Sequence, residues 1–571
     1  MAVGLLFLIL VAVLVVLAVR KVGAREGGGA PDGHGVRRFF QYLLLYGLLV
    51  VVGVGISGLL GRLLERDVLA AGDETELARN LAFTVVGVPL YTGVALWSRR
   101  RFAADTEEPR SLGWGFYITA ASLTSLVLGM TGLGQVLEWA TGLNDYSGRG
   151  LATFLVWGAL WVAHWRLDAR VTPHEHSRVH HLAGSLIGLA TAATGLAGVL
   201  AGALRSLLGL EGDAVLAGAG SPILQGGVTL AVGAPVWFVY WVRTAAKSQR
   251  DALWFAYVLL AGVAGGLVTA ITSASTLLYS VLVWLVGDPR FADAGKHFEQ
   301  APTQAAAAVV GLLVWWYHQA VLEEAGAGPR TEVRRIYEYL MAGIGLLAAA
   351  AGLTTAVVAL IEAVTGPERV IVGGGSTVNT LLAAATLLAV GAPVWWLYWR
   401  RIQAAAKAAP AAELMSTTRR LYLFVLFGLG GVAAVIALLV GVYLFFEDVV
   451  DGDVGAETLR RMRFSIGVLL TTAAIAAYHW AVYRADREHV PAEIKTHGPK
   501  FVLLVGPSDP EIAHEVAQRT HGQVRAWSRT DDGSATWSVD EVMAALGGTT
   551  SDEVIVLSDA GGVRAIPVHR G

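Results

Sequence analysis

Residues 233–243 read GAPVWFVYWVR, and residues 391–401 read GAPVWWLYWRR. Each stretch closes an apolar run. One copy alone would pass as the aromatic end of a membrane helix, where Trp and Tyr settle at the headgroups. Two copies predict that the chain is assembled from duplicated units. A third, partial copy is Gly87-Val-Pro89, which has Tyr91 and Val94 where the others have Trp and Tyr.

Composition sets the class. The 571 residues are 55% hydrophobic and 15% charged, whereas a soluble protein carries about 25% charge. Apolar runs of roughly 20 residues recur, each long enough to cross a hydrocarbon core. The expected fold is an all-α polytopic membrane protein of about 13 transmembrane helices. There is no cysteine, which excludes disulfides, thiolate metal sites and cysteine nucleophiles. The first apolar run, 1–22, has its positive charges (Arg20, Lys21, Arg25) behind it rather than ahead of it. It reads as a retained N-out helix rather than a cleaved signal. A flexible linker follows at 23–35.

Twelve further spans are expected as six hairpins. The second helices end on aromatic and mostly basic clusters: WSRRRF (97–102), HWRLDAR (164–170), YWVRTAAK (240–247), WYHQAVLEE (316–324), YWRRIQAAAK (398–407) and YHWAVYRADR (478–487). Loops at the other face, such as ERDVLAAGDE and EDVVDGDVGAE, are acidic. The positive-inside rule places the first set in the cytoplasm, and the span count agrees. The expected setting is a prokaryotic inner (plasma) membrane, with the N-terminus outside and the C-terminus cytoplasmic.

The larger period is four helices, about 150–160 residues, the mark of a tandem array. The four-helix modules are expected at 36–172, 173–328 and 329–488. Odd hairpins carry Pro89, Pro235 and Pro393, each expected to kink its helix. Even hairpins carry His164, His318 and His479 instead. Third-helix starts repeat as well: Arg110, Arg250 and Arg420 are followed at +7 by Tyr117, Tyr257 and Phe427. After a second linker at 489–499, residues 500–571 read as a small α/β domain in the order β-α-β-α-β-β. Ser538 with Glu541 forms a capping box, and AGG joins the last two strands. Ser508 or Asp509 is expected to cap the helix that GPSDP opens. That turn matches no phosphate-binding motif, and ordinary capping is the favoured reading.

Ionisable residues in spans are costly and often functional, so the three histidines are the sharpest candidates. They can converge on a polar site or metal, ligate haem or a pigment, or sit at the headgroup boundary beside Trp165, Trp316 and Trp480. The boundary reading is favoured, because Tyr240, Tyr398, Trp241 and Trp399 hold the equivalent interfacial places in the odd hairpins. Glu65, Glu138, Glu362 and Glu447 end helices on the outer face, against the helix dipole. They read as topology markers or, less favoured, as an outer vestibule for cations. The mid-span run TAITSAST (269–276) is expected to serve helix packing.

The basic-aromatic helix starts and the G-x-P-x-W-x-x-Y-W helix ends resemble an uncharacterised prokaryotic family of four-helix integral membrane modules, a domain of unknown function. The resemblance spans about residues 36–487 in three copies. It implies fold and topology but no activity. Without a nucleophile–base constellation or a convincing mid-membrane charge, the favoured expectation is a non-enzymatic scaffold. It would lie in the lipid bilayer and bind a protein partner, not nucleic acid, through its membrane modules or C-terminal domain. A channel or transporter, and a haem- or pigment-binding electron-transfer component, are the alternatives.

Overall fold

The computed structural model describes residues 33–66, 74–105, 108–210, 221–324, 332–366, 376–408, 413, 416–489, 499–507, 510–520, 522–529, 536–547, 549, 551–559 and 561–569. The first apolar run, most of both linkers and the Ser508–Asp509 cap lie outside them.

Among the described residues, twelve long helices form three sets of four. The first set is α1 (Gly33–Leu64), α2 (Glu74–Ala104), α3 (Leu112–Ala140) and α4 (Gly148–Val171). The second is α5 (His174–Leu208), α6 (Pro222–Lys247), α7 (Ala252–Val286) and α8 (Ala301–Glu324). The third is α9 (Glu332–Thr365), α10 (Thr377–Ala408), α11 (Thr417–Asp451) and α12 (Arg463–His489). Helix α1 therefore begins inside the segment read as linker. Eleven of the twelve are long and apolar enough to cross a membrane. The exception is α4, whose 24 residues include Arg149, His164 and three tryptophans.

Third helices are started by side-chain caps. Ser111, Asp251 and Ser416 accept from the amides of Trp114, Trp254 and Arg419 at 3.2, 3.0 and 3.2 Å, which satisfies orphan donors of the first turn. Helices α5 and α11 end on Gly209 and Gly452, which hold the left-handed φ (63° and 77°) of a C-terminal cap.

Within a module the first helix packs against the second, third and, in modules 1 and 2, the fourth. In module 3, Gly467 of α12 lies against Thr354 of α9, and the Thr354 hydroxyl donates to Thr471 at 3.0 Å. Between modules one rule repeats: α3 packs on α5 and α6, and α7 packs on α9 and α10. Each third helix thus lies against the first hairpin of the next module.

The glycine of the quoted motif marks the crossing inside that hairpin. A Cβ on Gly233 would overlap the Ala192 amide of α5 and lie 2.7 Å from the Thr191 carbonyl carbon. One on Gly391 would lie 2.6 Å from the Ala349 amide of α9. Only glycine lets these backbones approach so closely. The prolines act unevenly. Helices α2 and α10 run through Pro89 and Pro393 as α-helix, whereas α6 passes into π winding at Phe238–Val242, just after Pro235. The hydroxyls of TAITSAST bond back along their own helix, with Thr269, Thr272 and Thr276 donating to Gly265, Val268 and Thr272 carbonyls at 2.8 Å each.

The C-terminal unit, described by itself, follows the expected order: β1 (Phe501–Gly506), α13 (Pro510–Thr520), β2 (Gln523–Ser528), α14 (Val539–Leu546), β3 (Glu553–Asp559) and β4 (Gly562–Val568). The sheet runs β2-β1-β3-β4, parallel except for the β3–β4 hairpin. Alternate residues Val502, Leu504, Val554 and Val556 form its core with Val516, Val542 and Leu546 of the helices. Ser538 and Glu541 complete the capping box.

Candidate functional site

All three histidines are buried (His164 3%, His318 0% and His479 1% exposed), so their rings are enclosed by protein. Their neighbours Trp316 and Trp480 are exposed. His164 and His318 turn inward because their fourth helices pack the histidine face against their own modules. His164 Nδ1 donates to the Leu160 carbonyl at 2.7 Å, so Nε2 accepts from the Tyr117 hydroxyl at 3.0 Å. Tyr117 in turn bonds Tyr91 at 3.1 Å. Both nitrogens are engaged, and a haem iron would have to displace one of these bonds. Phenylalanine at Tyr117 leaves the buried Nε2 unpaired, and we expect a loss of about 1–3 kcal/mol, measured as a shift in thermal unfolding in detergent.

His318 repeats the geometry with one difference. Its Nδ1 bonds the Val314 carbonyl at 2.8 Å, but Nε2 has no hydrogen bond. Rings of Tyr317, Trp241 and Tyr257 surround it at centroid distances of 5.0, 5.8 and 5.8 Å, and Gly262 leaves the room that the imidazole fills. Two π-helical segments flank the cage, Phe238–Val242 and Tyr257–Ala264. Such windings occur often at functional sites. The arrangement offers one proton-accepting or ligating nitrogen inside an aromatic wall. No second His or carboxylate joins it in a metal-holding group among the described residues.

The odd-hairpin aromatics are enclosed by protein as well. Tyr240, Trp241, Tyr398 and Trp399 are all buried. Tyr240 sits at the joint of modules 1 and 2, where it accepts from the Trp161 indole N–H at 2.7 Å and packs edge-on to Trp165 at 4.9 Å. The Tyr398 hydroxyl pairs with Tyr337 at 2.9 Å, and Trp399 lies 5.9 Å from the Tyr422 ring.

The acids expected on the outer face bind at or near helix ends. Glu65, which ends the first helix of its module, accepts from the Gly148 amide at the start of α4 at 3.0 Å. Glu362 ends the first helix of module 3 and meets Arg463 at the start of α12 at 3.2 Å. Glu447 pairs with Arg461, and Glu138 accepts from the Asn144 amide group at 2.8 Å. Carboxylates that serve a facing helix N-terminus or an arginine explain acids at helix C-termini.

A matching tie at the opposite ends escaped the sequence reading. The start of each first helix is bonded to the start of the third: Arg38 to Glu108 at 2.9 Å, Arg178 to Asp251 at 2.5 Å, and Glu332 to Thr418. The signal available was an acid within two residues of Arg110 and Arg250. Burial works to raise the Asp251 pKa, but the Trp254 amide and Arg178 outweigh it and hold the carboxyl below its usual range. Its contribution to stability is therefore present above the ordinary carboxylate pKa and lost as pH falls through the lowered value. We expect Asp251→Asn to flatten that acid-side loss in a melting-temperature series against pH.

Comparison with known proteins decides the family. The model for a domain of unknown function (DUF5671) matches residues 38–146, 178–296 and 335–474, well over half of the chain. The chain belongs to that family. The three DUF5671 matches fall one within each set of four helices, as the repeated GAP motif indicates. No curated protein and no solved structure matches the chain. The DUF5671 segments stop short of His164, His318 and His479, so the fourth-helix histidines are features of this chain beside the family match.

Proposed function

We propose that this DUF5671 protein is a non-enzymatic multi-pass membrane scaffold that binds a protein partner through the open end of its module array. The supporting observation is the contrast among third helices. The central windows of α3 and α7 are 61% and 50% buried, while that of α11 is only 6% buried by the described residues. Leu429, Val432, Val435, Ile436, Leu439 and Phe446 are exposed along α11, and Gly428, Gly430 and Gly431 have open space where a Cβ would stand. Small residues of this kind let helices approach closely in lipid.

A first hairpin covers α3 and α7, and the occupant that fits α11 is therefore another first hairpin. A second copy of the chain carries one as α1 and α2, with α2 itself only 11% buried over its central window. The orientation that fits the charge pattern keeps the C-terminal α/β domain in the cytoplasm.

The test is the mass of the full chain in lipid nanodiscs. We expect a dimer or larger assembly that Gly431→Trp converts to monomer, because a Cβ there meets nothing within 4 Å among the described residues. A monomeric parent protein overturns the partner reading. Ion or solute flux in liposomes above protein-free vesicles overturns the scaffold reading in favour of a transport pathway.

A further inference from the structure

We infer that the joint between the first two modules is a binding site for a first-row divalent metal ion of the Zn2+ type, held by Asp168, His180 and His181. Only Thr172 and Pro173 separate α4 from α5, so the last turn of α4 faces the first turns of α5. Asp168 is buried in that last turn. The Ser177 hydroxyl donates to its Oδ1 at 2.9 Å, and its Oδ2 faces the two imidazoles. His180 Nε2 lies 3.8 Å and His181 Nε2 3.9 Å from it. One donor atom from each of the three residues falls within 4.8 Å of the others.

The second observation is His180 itself. Its side chain is completely buried, and neither ring nitrogen makes a hydrogen bond among the described residues. A buried imidazole without partners is costly, and one aimed at a carboxylate and a second imidazole has the form of a metal ligand. Bonds of about 2.0–2.2 Å place two ligands of a tetrahedral ion roughly 3.3–3.6 Å apart. The two histidine–carboxylate distances of 3.8 and 3.9 Å need to close by only a few tenths of an ångström, and the two imidazole nitrogens, within 4.8 Å of each other, by up to about 1.5 Å. Two imidazoles, one carboxylate and no thiolate suit Zn2+ and its first-row neighbours rather than Mg2+ or Ca2+.

The surroundings are those of a held site. Ser177 orients the carboxylate, as an outer partner does for a metal ligand. Trp165 packs against both histidines at 6.1 and 5.1 Å, and Tyr240 closes the other side at 6.3 and 6.2 Å. The His181 side chain is 18% exposed and gives the ion a way in. Nothing equivalent is repeated. Four residues beyond His318 and His479, where Asp168 follows His164, stand Leu322 and Tyr483. The ion would clamp this one joint, tying the end of module 1 to the start of module 2.

The experiment uses the untagged full chain in mild detergent, stripped with a chelator and titrated with Zn2+ alone by calorimetry. Co2+ serves as a coloured substitute. We expect one ion per chain, a higher melting temperature with Zn2+, and Co2+ bands of low-coordinate geometry. Asp168→Asn and His180→Gln should weaken Zn2+ by at least the roughly 10–100-fold that loss of an outer partner costs, while His297→Gln should leave binding unchanged. If His180→Gln does not fold, the partly exposed His181→Gln carries the same readout. Absence of Zn2+ binding by the parent chain, or binding that Asp168→Asn and His181→Gln both leave intact, overturns the assignment.

Discussion

Leucine at Gly233 is expected to unseat α6 from α5 and to abolish recovery of monodisperse protein. The clash is with backbone: the added Cβ meets the Ala192 amide and the Thr191 carbonyl carbon, and a helix backbone cannot swing aside as a side chain can. Overpacking a core costs about 1–3 kcal/mol where rotamers can adjust, and here they cannot. Gly391→Leu should behave alike, because Ala349 backbone stands in the same place. Gly87 tests the argument. Its Cβ would meet Val52 Cγ2 at 3.0 Å and Val51 Cγ1 at 3.3 Å, methyl groups that can turn away. The thermal-stability order should be Gly87→Leu well above Gly233→Leu and Gly391→Leu. Equal damage at all three positions would refute the backbone-contact explanation.

Glu108→Gln should be the most damaging single change at the opposite ends of the helices. This carboxylate is fully buried. It accepts from Arg38 at 2.9 Å, from Arg37 at 3.3 Å and from the Tyr42 hydroxyl at 3.1 Å. The amide keeps the shape but removes the charge and turns a donor toward two guanidinium groups. Breaking a buried pair costs about 3–5 kcal/mol. The arginines are partly exposed, at 27% and 15%, and Asp105 still meets Arg38 at 2.5 Å, so the low end of that range is expected. A denaturation midpoint within error of the parent would show that the tie carries no net stability.

The contrast between Gly233 and Glu108 shows what could be read in advance. The glycine belongs to a motif that repeats with the module, and repetition is visible in one sequence. The same holds for the twelve helices and for the α/β order of the C-terminal unit, whose strands and caps rest on local pattern. Glu108 depends on a residue about 70 positions away, and nothing local announces that partner. The inward facing of the histidines was hidden for a related reason. A histidine flanked by tryptophan at a helix end satisfies the rule for a boundary residue, yet which face of α4 or α8 turns inward is set by the helices around it. The Asp168–His180–His181 group lies within 14 residues in the chain, but its meaning depends on a two-residue turn that sets the first turns of α5 beside the last turn of α4.

The rule that every third helix takes the next first hairpin has an evolutionary reading. Because the third helix meets the next first hairpin at both joints, a tandem duplication at the gene level can add a module on a kind of contact already present. The number of modules is then an accident of how often the segment was copied. Chains with two or four repeats should fold by the same contacts, differing only in which helix is left at the rim.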